Sequence, residues 1–467
     1  MPPQRFLLDN DGSNIFHFLS DNIEQDITDA VEECPENVTT YLLCAGAGTY
    51  YFPTKAGIVD PRASRLVQAH TEGKDPFRMF LDALRRSGRE TFITLRMNDV
   101  HDPTDADQWN VPKIRREHPE FIVDIEAAQR GDDDWMVYCL DYSRSEVQDY
   151  FLEIIGELVD WYDFDGLQLD WMRFPRHLSG TPDQVWQKRR HITQFTRNVK
   201  QLLRPKKIKL AARVPTSLAG CRALGMDLAE WKKLDLMDFI VACPFLSTDF
   251  GMPVREMRAE MGDAPVPIYA GFDFGHAPQN HCPESLRAAV TSLYDSGADG
   301  IYVFNFPCWQ ERLVAAPYHW ISELHDPRKA AQKPLLFSVP HLRFRKNVDL
   351  PYQLPSKISA GKSGEFSLPL PSAVLPVRRS RILIHSAGDI ALAVNGELAE
   401  ELPRKRRSEI FVEFINDGWL GQHRPPKDET RIFRLKPACF RAGENTLRIE
   451  NLTGKALEIC RINVGLW

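Results

Sequence analysis

At 467 residues the chain exceeds one ordinary domain and suits two, and its 43% hydrophobic and 26% charged residues exclude a disordered chain. A net charge of -6, with short basic runs at 204–207 and 404–407, speaks against a nucleic-acid partner, and no apolar run approaches the roughly 18–20 residues of a membrane helix. The first residues lack the apolar core of a signal peptide, and the nine cysteines, several in apolar runs and none in a Cys-x-x-Cys pair, read as reduced and buried, which points to the cytoplasm and away from structural zinc.

Short apolar runs at 5–9, 39–45, 91–97, 166–170, 209–214, 239–243, 266–271 and 300–305 predict eight strands of the kind buried on both faces. Helical patterns fall between them. The clearest, 143–162, opens on Ser143 with Glu146 three residues on, the capping-box spacing, and then repeats Val147, Tyr150, Phe151, Ile154, Ile155 and Leu158 along one face. Further helices are expected at 182–203, 227–233 and 284–296. Eight rounds of strand and helix predict a closed (β/α)8 barrel over residues 1–330; a doubly wound sheet is the second choice, and no Gly-x-Gly-x-x-Gly follows the first strand.

After residue 330 helical periodicity gives way to alternating runs at 381–385, 390–394, 410–414 and 457–461, so residues 331–467 are expected to form an antiparallel β-sandwich, with 332–339 as linker. Asn395-Gly396 predicts a hairpin turn, and 441–447 a turn leading into a strand.

In a barrel of this kind the reactive side chains stand where strands end. Taken in order these are Asp9 and Asp11; Tyr50 and Tyr51; Arg96, Asn98, Asp99 and His101; Asp170, Trp171 and Arg173; Arg213; Asp249; Asp273; and Asn305 and Trp309. Acids, amides, arginines and aromatic rings together suit a sugar, which offers hydroxyls to read and C–H faces to stack on. Asp9, Asn98, Asp99, His101, Trp171, Arg173, Arg213, Asn305 and Trp309 are the expected substrate contacts, and no cofactor is expected. Trp171 and Trp309 serve equally well as packing. Asn98, Asp99 and His101, with Asp9 or Asp11 opposite, could bind a divalent ion, but hydroxyl binding is preferred because only one histidine is close. His177, His276 and His281 are loop histidines near the mouth, and Asp165 before Gly166 reads as turn chemistry.

Asp170 ends an apolar strand, where an ionised carboxylate needs a partner. Arg173 or Arg213 could supply one; the bland reading is a buried salt bridge closing the barrel. A second carboxyl is expected from Asp249 or Asp273. Asp249 is preferred, with Phe245 and Phe250 as the apolar wall that raises its pKa; Phe272 and Phe274 would serve Asp273. Arg173 and Arg213 could also receive an anionic sugar.

Several of these stretches are familiar. Arg116-Glu117-His118-Pro119-Glu120, Leu140-Asp141-Tyr142-Ser143, the run from Asp165 to Asp170 with Arg173-Phe174-Pro175, Leu236-Met237-Asp238-Phe239 and the run from Ala298 to Phe304 resemble the glycoside-hydrolase-like barrels labelled family-10-like glycosylhydrolases. The resemblance spans roughly residues 85–310 and implies a barrel acting on a glycan. The Asp-Gly-x-x-x-Asp element is also similar to the nucleophile strand of the α-amylase-like clan, which places Asp170 at the nucleophile position. Here the chain departs from that clan, with Gln168 where an arginine is usual and no glutamate ending strand five. α-Galactosidase-like barrels pair a strand-four aspartate with one near strand six, a pattern Asp249 fits. The carboxy-terminal segment resembles jelly-roll modules attached to glycosidases, and bracing is expected of it because no cluster of exposed aromatics stands out.

The sequence therefore leads to a glycoside hydrolase whose carboxylate pair is Asp170 with Asp249 or Asp273. A separation near 5–5.5 Å would mean retention and about 6.5–9.5 Å inversion. Two alternatives stand beside it: a non-catalytic glycan-binding barrel without a second carboxyl in reach, and a metal-dependent hydrolase or lyase using Asp9, Asp99 and His101. A Ser-His-Asp esterase is disfavoured, since no Gly-x-Ser-x-Gly occurs.

Overall fold

The computed structural model describes residues 5–101, 109–132, 134–245, 247–263, 265–273, 282–308, 315–340, 352–403 and 430–467. Strands β1 (Phe6–Asn10), β2 (Thr40–Cys44), β3 (Glu90–Arg96), β4 (Gly166–Asp170), β5 (Lys209–Val214), β6 (Phe239–Ala242), β7 (Ile268–Asp273) and β8 (Gly300–Phe304) are parallel and pair in chain order. β8 returns to β1 and closes the barrel. All eight coincide with the predicted runs, because each is a short apolar segment covered by helices outside and side chains inside.

Two helix expectations change in detail. The helix Ser145–Trp161 starts two residues late, and no side chain caps it; the Ser143 amide instead donates to Asp141 Oδ1 (2.9 Å), so an aspartate turn replaces the expected capping box. The stretch 182–203 divides at Arg189 into Pro182–Lys188 and Arg190–Leu203, the first opened by a capping box of Thr181 and Gln184.

The barrel interior is layered. At the base Glu90 accepts from Arg5 Nη2 (2.9 Å) and Thr40 Oγ1 (2.7 Å), and Lys209 pairs with it. Above lies an apolar cluster of Leu7, Leu42, Phe92, Ala211, Phe239, Val241 and Tyr269. Glycine makes room for its rings: a Cβ on Gly166 would overlap Phe92, and one on Gly271 would overlap Tyr302.

The residue ahead of each even-numbered strand ties down its odd-numbered neighbour. Thr39 Oγ1 accepts from the Phe6 amide (2.9 Å), and carboxyl oxygens of Asp165, Asp238 and Asp299 accept from the amides of Thr91, Leu210 and Ile268, each at 2.8 Å. Asp165 is therefore a strand cap at the base, not the turn residue expected from Asp-Gly.

The carboxy-terminal strands are β9 (Leu335–Ser338), β10 (Ser356–Ile358), β11 (Ser363–Leu370), β12 (Ser380–Ser386), β13 (Ile390–Val394), β14 (Glu397–Leu398), β15 (Glu400–Glu401), β16 (Thr430–Arg434), β17 (Gly443–Asn451) and β18 (Leu457–Leu466). They form two antiparallel sheets, β10-β18-β12-β16-β15 with β9 on β18, and β11-β17-β13-β14. Asn395 and Gly396 turn β13 into β14 with φ of 50° and 89°, the left-handed pair a two-residue hairpin requires. The expected linker 332–339 is largely β9, since its apolar residues find a partner strand in β18; the predicted strand 410–414 lies outside the described residues. The sheets lean on the barrel through Phe337, whose ring centroid is 5.7 Å from that of Phe250, and through Arg287, whose Nε donates to the Pro334 carbonyl (3.0 Å).

Candidate active site

The carboxy-terminal ends of the barrel strands carry two joined polar groups. The first is centred on Arg213 of β5. Its Nη1 lies 3.2 Å from Asp170 Oδ2 on β4, and its Nη2 lies 3.6 Å from Asp273 Oδ2 on β7 and donates to the Pro244 carbonyl (2.8 Å). The other oxygen of Asp170 accepts from the amides of Met172 (2.9 Å) and Arg173 (3.1 Å). Arg213 thus supplies the cation expected for Asp170, while Arg173 contributes only its amide. The guanidinium rests on the Phe304 ring, 3.8 Å from its centroid. Because one planar guanidinium holds both carboxylates, their oxygens lie within about 9 Å of each other. All three side chains are 0% exposed.

Below them sits Asp9. Its Oδ2 accepts from Thr94 Oγ1 (2.8 Å), Gln168 Nε2 (2.9 Å) and the Tyr302 hydroxyl (2.8 Å), and its Oδ1 has no partner among the described residues. Burial first, and the charge of Asp170 second, push its pKa up to about 7.

The second group runs from Asp11 to Arg173. Arg96 pairs with Asp11 (2.6 Å) and Asp99 (2.8 Å). Asn305 Nδ2 donates to Asp11 (2.6 Å), and the free oxygen of Asp99 meets His101 Nδ1 (2.5 Å). His101 Nε2 in turn lies 3.2 Å from Arg173 Nη2. Burial alone would raise both acids. The charges of Arg96 and Arg173 outweigh it at Asp11, and His101 with the same two arginines outweighs it at Asp99, so both are held below the usual carboxylate range.

Three orphaned groups lie around this second network: Asn110 Oδ1, Asn305 Oδ1, and Nε and Nη1 of Arg173 are buried without a partner among the described residues. Phe174 also adopts left-handed backbone, φ 56°, which a bulky side chain rarely tolerates, and Asn305 does so at 53°, a conformation asparagine accepts more readily. Unsatisfied polar atoms and a strained backbone residue gathered at one end of a barrel mark a candidate ligand site.

Other expected contacts are engaged elsewhere. Trp171 is not a platform: its ring is 0% exposed and packs edge-on against Tyr142, His177 and Phe195. Tyr50 and Tyr51 are likewise buried. Asn98 spends its amide on the chain, accepting from the Leu140 amide (2.8 Å) and donating to the Arg176 carbonyl and His177 Nδ1 (3.0 Å each). His177 is a buried strut that also meets the Trp171 carbonyl (2.7 Å), and burial lowers its pKa to about 4.

Asp249 is drawn away from Arg213 toward the carboxy-terminal sheets. It accepts from the Gly251 amide (2.8 Å), and a Cβ on Gly251 would meet Pro369 of β11. Burial raises its pKa to about 6, but Phe250 turns to Phe337, and Phe245 faces Arg173 instead. Trp309, Phe274, His276 and His281 lie outside the described residues. Asp9, Asp99 and His101 do not converge, and among the described residues no three such groups could hold one metal ion.

The sequence reading missed Thr94, Gln168 and Tyr302, the donors beneath the mouth. A signal existed: Gln168 is two residues before Asp170 and so shares its face of the strand.

No family model and no curated protein matches the chain. Solved structures similar to it include an α-L-fucosidase isoenzyme 2 from Paenibacillus thiaminolyticus (16% identity, 73% of this chain and 52% of that one, TM-score 0.46). A glycoside hydrolase domain from Bordetella bronchiseptica is similar over 70% of this chain and 99% of that one (13% identity, TM-score 0.46). An α-galactosidase from Geobacillus stearothermophilus, in complex with stachyose, is similar over 96% and 55% (12% identity, TM-score 0.41). The chain spans about half the length of the fucosidase and of the galactosidase. These are distant likenesses to glycoside hydrolases, at the level of fold.

Proposed function

We propose that the protein is a glycoside hydrolase in which Asp170 acts as nucleophile or base and Asp273 is the facing acid. The observation that carries this reading is the shared guanidinium: Arg213 binds Asp170 and Asp273 at 3.2 and 3.6 Å. An upper bound of about 9 Å on their separation admits both the retaining and most of the inverting span of paired glycosidase carboxylates. Arg213 and two backbone amides hold the Asp170 carboxyl in place from both of its oxygens, the fixed position a nucleophile or base requires. Asp273 is preferred to Asp249 because Arg213 joins it to Asp170; to act as the acid it must leave Arg213 and take up a proton when the mouth opens to substrate. Since all three side chains are covered, turnover requires the mouth to open over them.

The same burial favours one second reading, a glycan-binding barrel in which the ion pairs merely brace the strands. Asp170→Asn separates the two. A hydrolase loses about a thousandfold or more of its turnover and keeps its fold; a brace loses about 3–5 kcal/mol of stability. Activity on a panel of chromogenic glycosides and acidic polysaccharides, with urea denaturation of the same variant, reads both. Near-full turnover by Asp170→Asn removes it from catalysis, and Asp273→Asn tests the partner in the same way.

A further inference from the structure

Arg173 differs from the other two arginines of the mouth. Arg96 is matched by Asp11 and Asp99, and Arg213 by Asp170 and Asp273. Arg173 is only 9% exposed, yet its side chain makes no ion pair among the described residues. One nitrogen, Nη2, meets His101; Nε and Nη1 are buried with no acceptor. The guanidinium sits 5.6 Å from the centroid of Phe174 and 5.4 Å from that of Phe245.

The residues behind it hold it in place. Arg96 fixes one oxygen of Asp99 and His101 Nδ1 takes the other. With its proton on Nδ1, His101 presents the Nε2 lone pair to Arg173 Nη2. The fork is thus aimed and stiff before anything binds. Arginine does not shed its charge when buried, so removing it from water without a partner is costly unless an acceptor arrives. Asp11 and Asp99 lie within Coulombic reach, as their depressed pKa values record, but both are already bound to Arg96.

We infer that the glycan taken by this site is acidic, and that a carboxylate or sulfate on it docks on Nε and Nη1 of Arg173. Several free N–H groups on one planar cation match an anion with two or three oxygens, whereas a sugar hydroxyl brings no charge. The rings of Phe174 and Phe245 supply an apolar, water-excluding surround in which the pair is strengthened. For its substrate the inference rests on the hydrolase reading; for binding it does not.

The test uses the full chain, titrated by calorimetry and thermal shift with sodium glucuronate, sodium sulfate and glucose. Glucuronate or sulfate is expected to bind and raise the melting temperature, and the stronger of the two tells carboxylate from sulfate; glucose is expected to do neither. Arg173→Met, which keeps the length and the apolar packing, is expected to weaken anion binding about ten- to a hundredfold. Arg173→Lys keeps the charge without the fork and is expected to weaken it several-fold, which maintains the comparison should the Met variant not fold.

An equal response to glucose, or anion affinity unchanged in Arg173→Lys and Arg173→Met, overturns the inference. Turnover is measured separately. Turnover of neutral glycosides without Arg173-dependent anion binding leaves the hydrolase and removes the acidic substrate. Arg173-dependent anion binding without turnover of any glycan does the reverse.

Discussion

Asp9 concentrates the physical problem of this site in one side chain. It is sealed from water with three donors on Oδ2 and none on Oδ1, so at neutral pH a proton on Oδ1 relieves the burial of charge. Its pKa is raised in the folded protein, to about 7 against an unfolded value of 3.8. The folded state therefore binds the extra proton across that interval, and stability falls as pH rises from about 4 to 7. Asp9→Asn mimics the protonated carboxyl, keeping an acceptor where Oδ2 stands. Chemical denaturation at successive pH values should show a flatter profile for this variant by a few kcal/mol over that window. An unchanged slope would mean that Asp9 is ionised in the native protein.

At the same scale lies the reason some site residues were legible and others were not. Asp170, Arg213 and Asp273 could be named from the sequence because a charge at the end of an apolar strand has few explanations. Trp171 and Asn98 occupy equally suggestive positions. The ring of Trp171 points outward under the helices, and the amide of Asn98 is used by the loops around Leu140 and Arg176, which no local pattern discloses.

Among the elements, the capping of alternate strands is the most regular device. An even-numbered strand is preceded by a residue whose oxygen takes the first amides of its neighbour, at Thr39, Asp165, Asp238 and Asp299. A parallel strand entering a barrel leaves such an amide without a ladder partner, and burying it unpaired is costly. Asp165→Ala should therefore lower stability by about 1–3 kcal/mol in urea denaturation. Turnover should be unaffected, because the residue lies at the base and the site at the opposite end. Asp-Gly and Asp-Phe at these places were visible in the chain; that they cap neighbours 28, 31 and 74 residues distant was not. Helix existence was legible, whereas helix starts were not, since Asp141 takes the Ser143 amide that Glu146 was expected to cap.

At the scale of the whole molecule, the barrel and the sheets share an apolar seam around Phe250 and Phe337. Phe337 is fully buried there, so Phe337→Ala should cost about 3–5 kcal/mol, seen as a lower thermal or urea midpoint. If the seam is merely incidental, that midpoint will not move. The loop after β6 brings Asp249 against the same seam, where it accepts from the Gly251 amide beside Pro369 of β11.

The sequence alone determined the architecture, since eight apolar strands alternating with amphipathic helices close in chain order, and alternating polar runs afterwards make antiparallel sheets; periodicity is a local property and survives without coordinates. Only the tertiary structure set Asp273 beside Asp170 on one guanidinium, buried Trp171 in the core, and left Arg173 without an ion pair among the described residues. Those facts depend on which residues, hundreds of positions apart, share one guanidinium or one ring face, and barrel closure sets them.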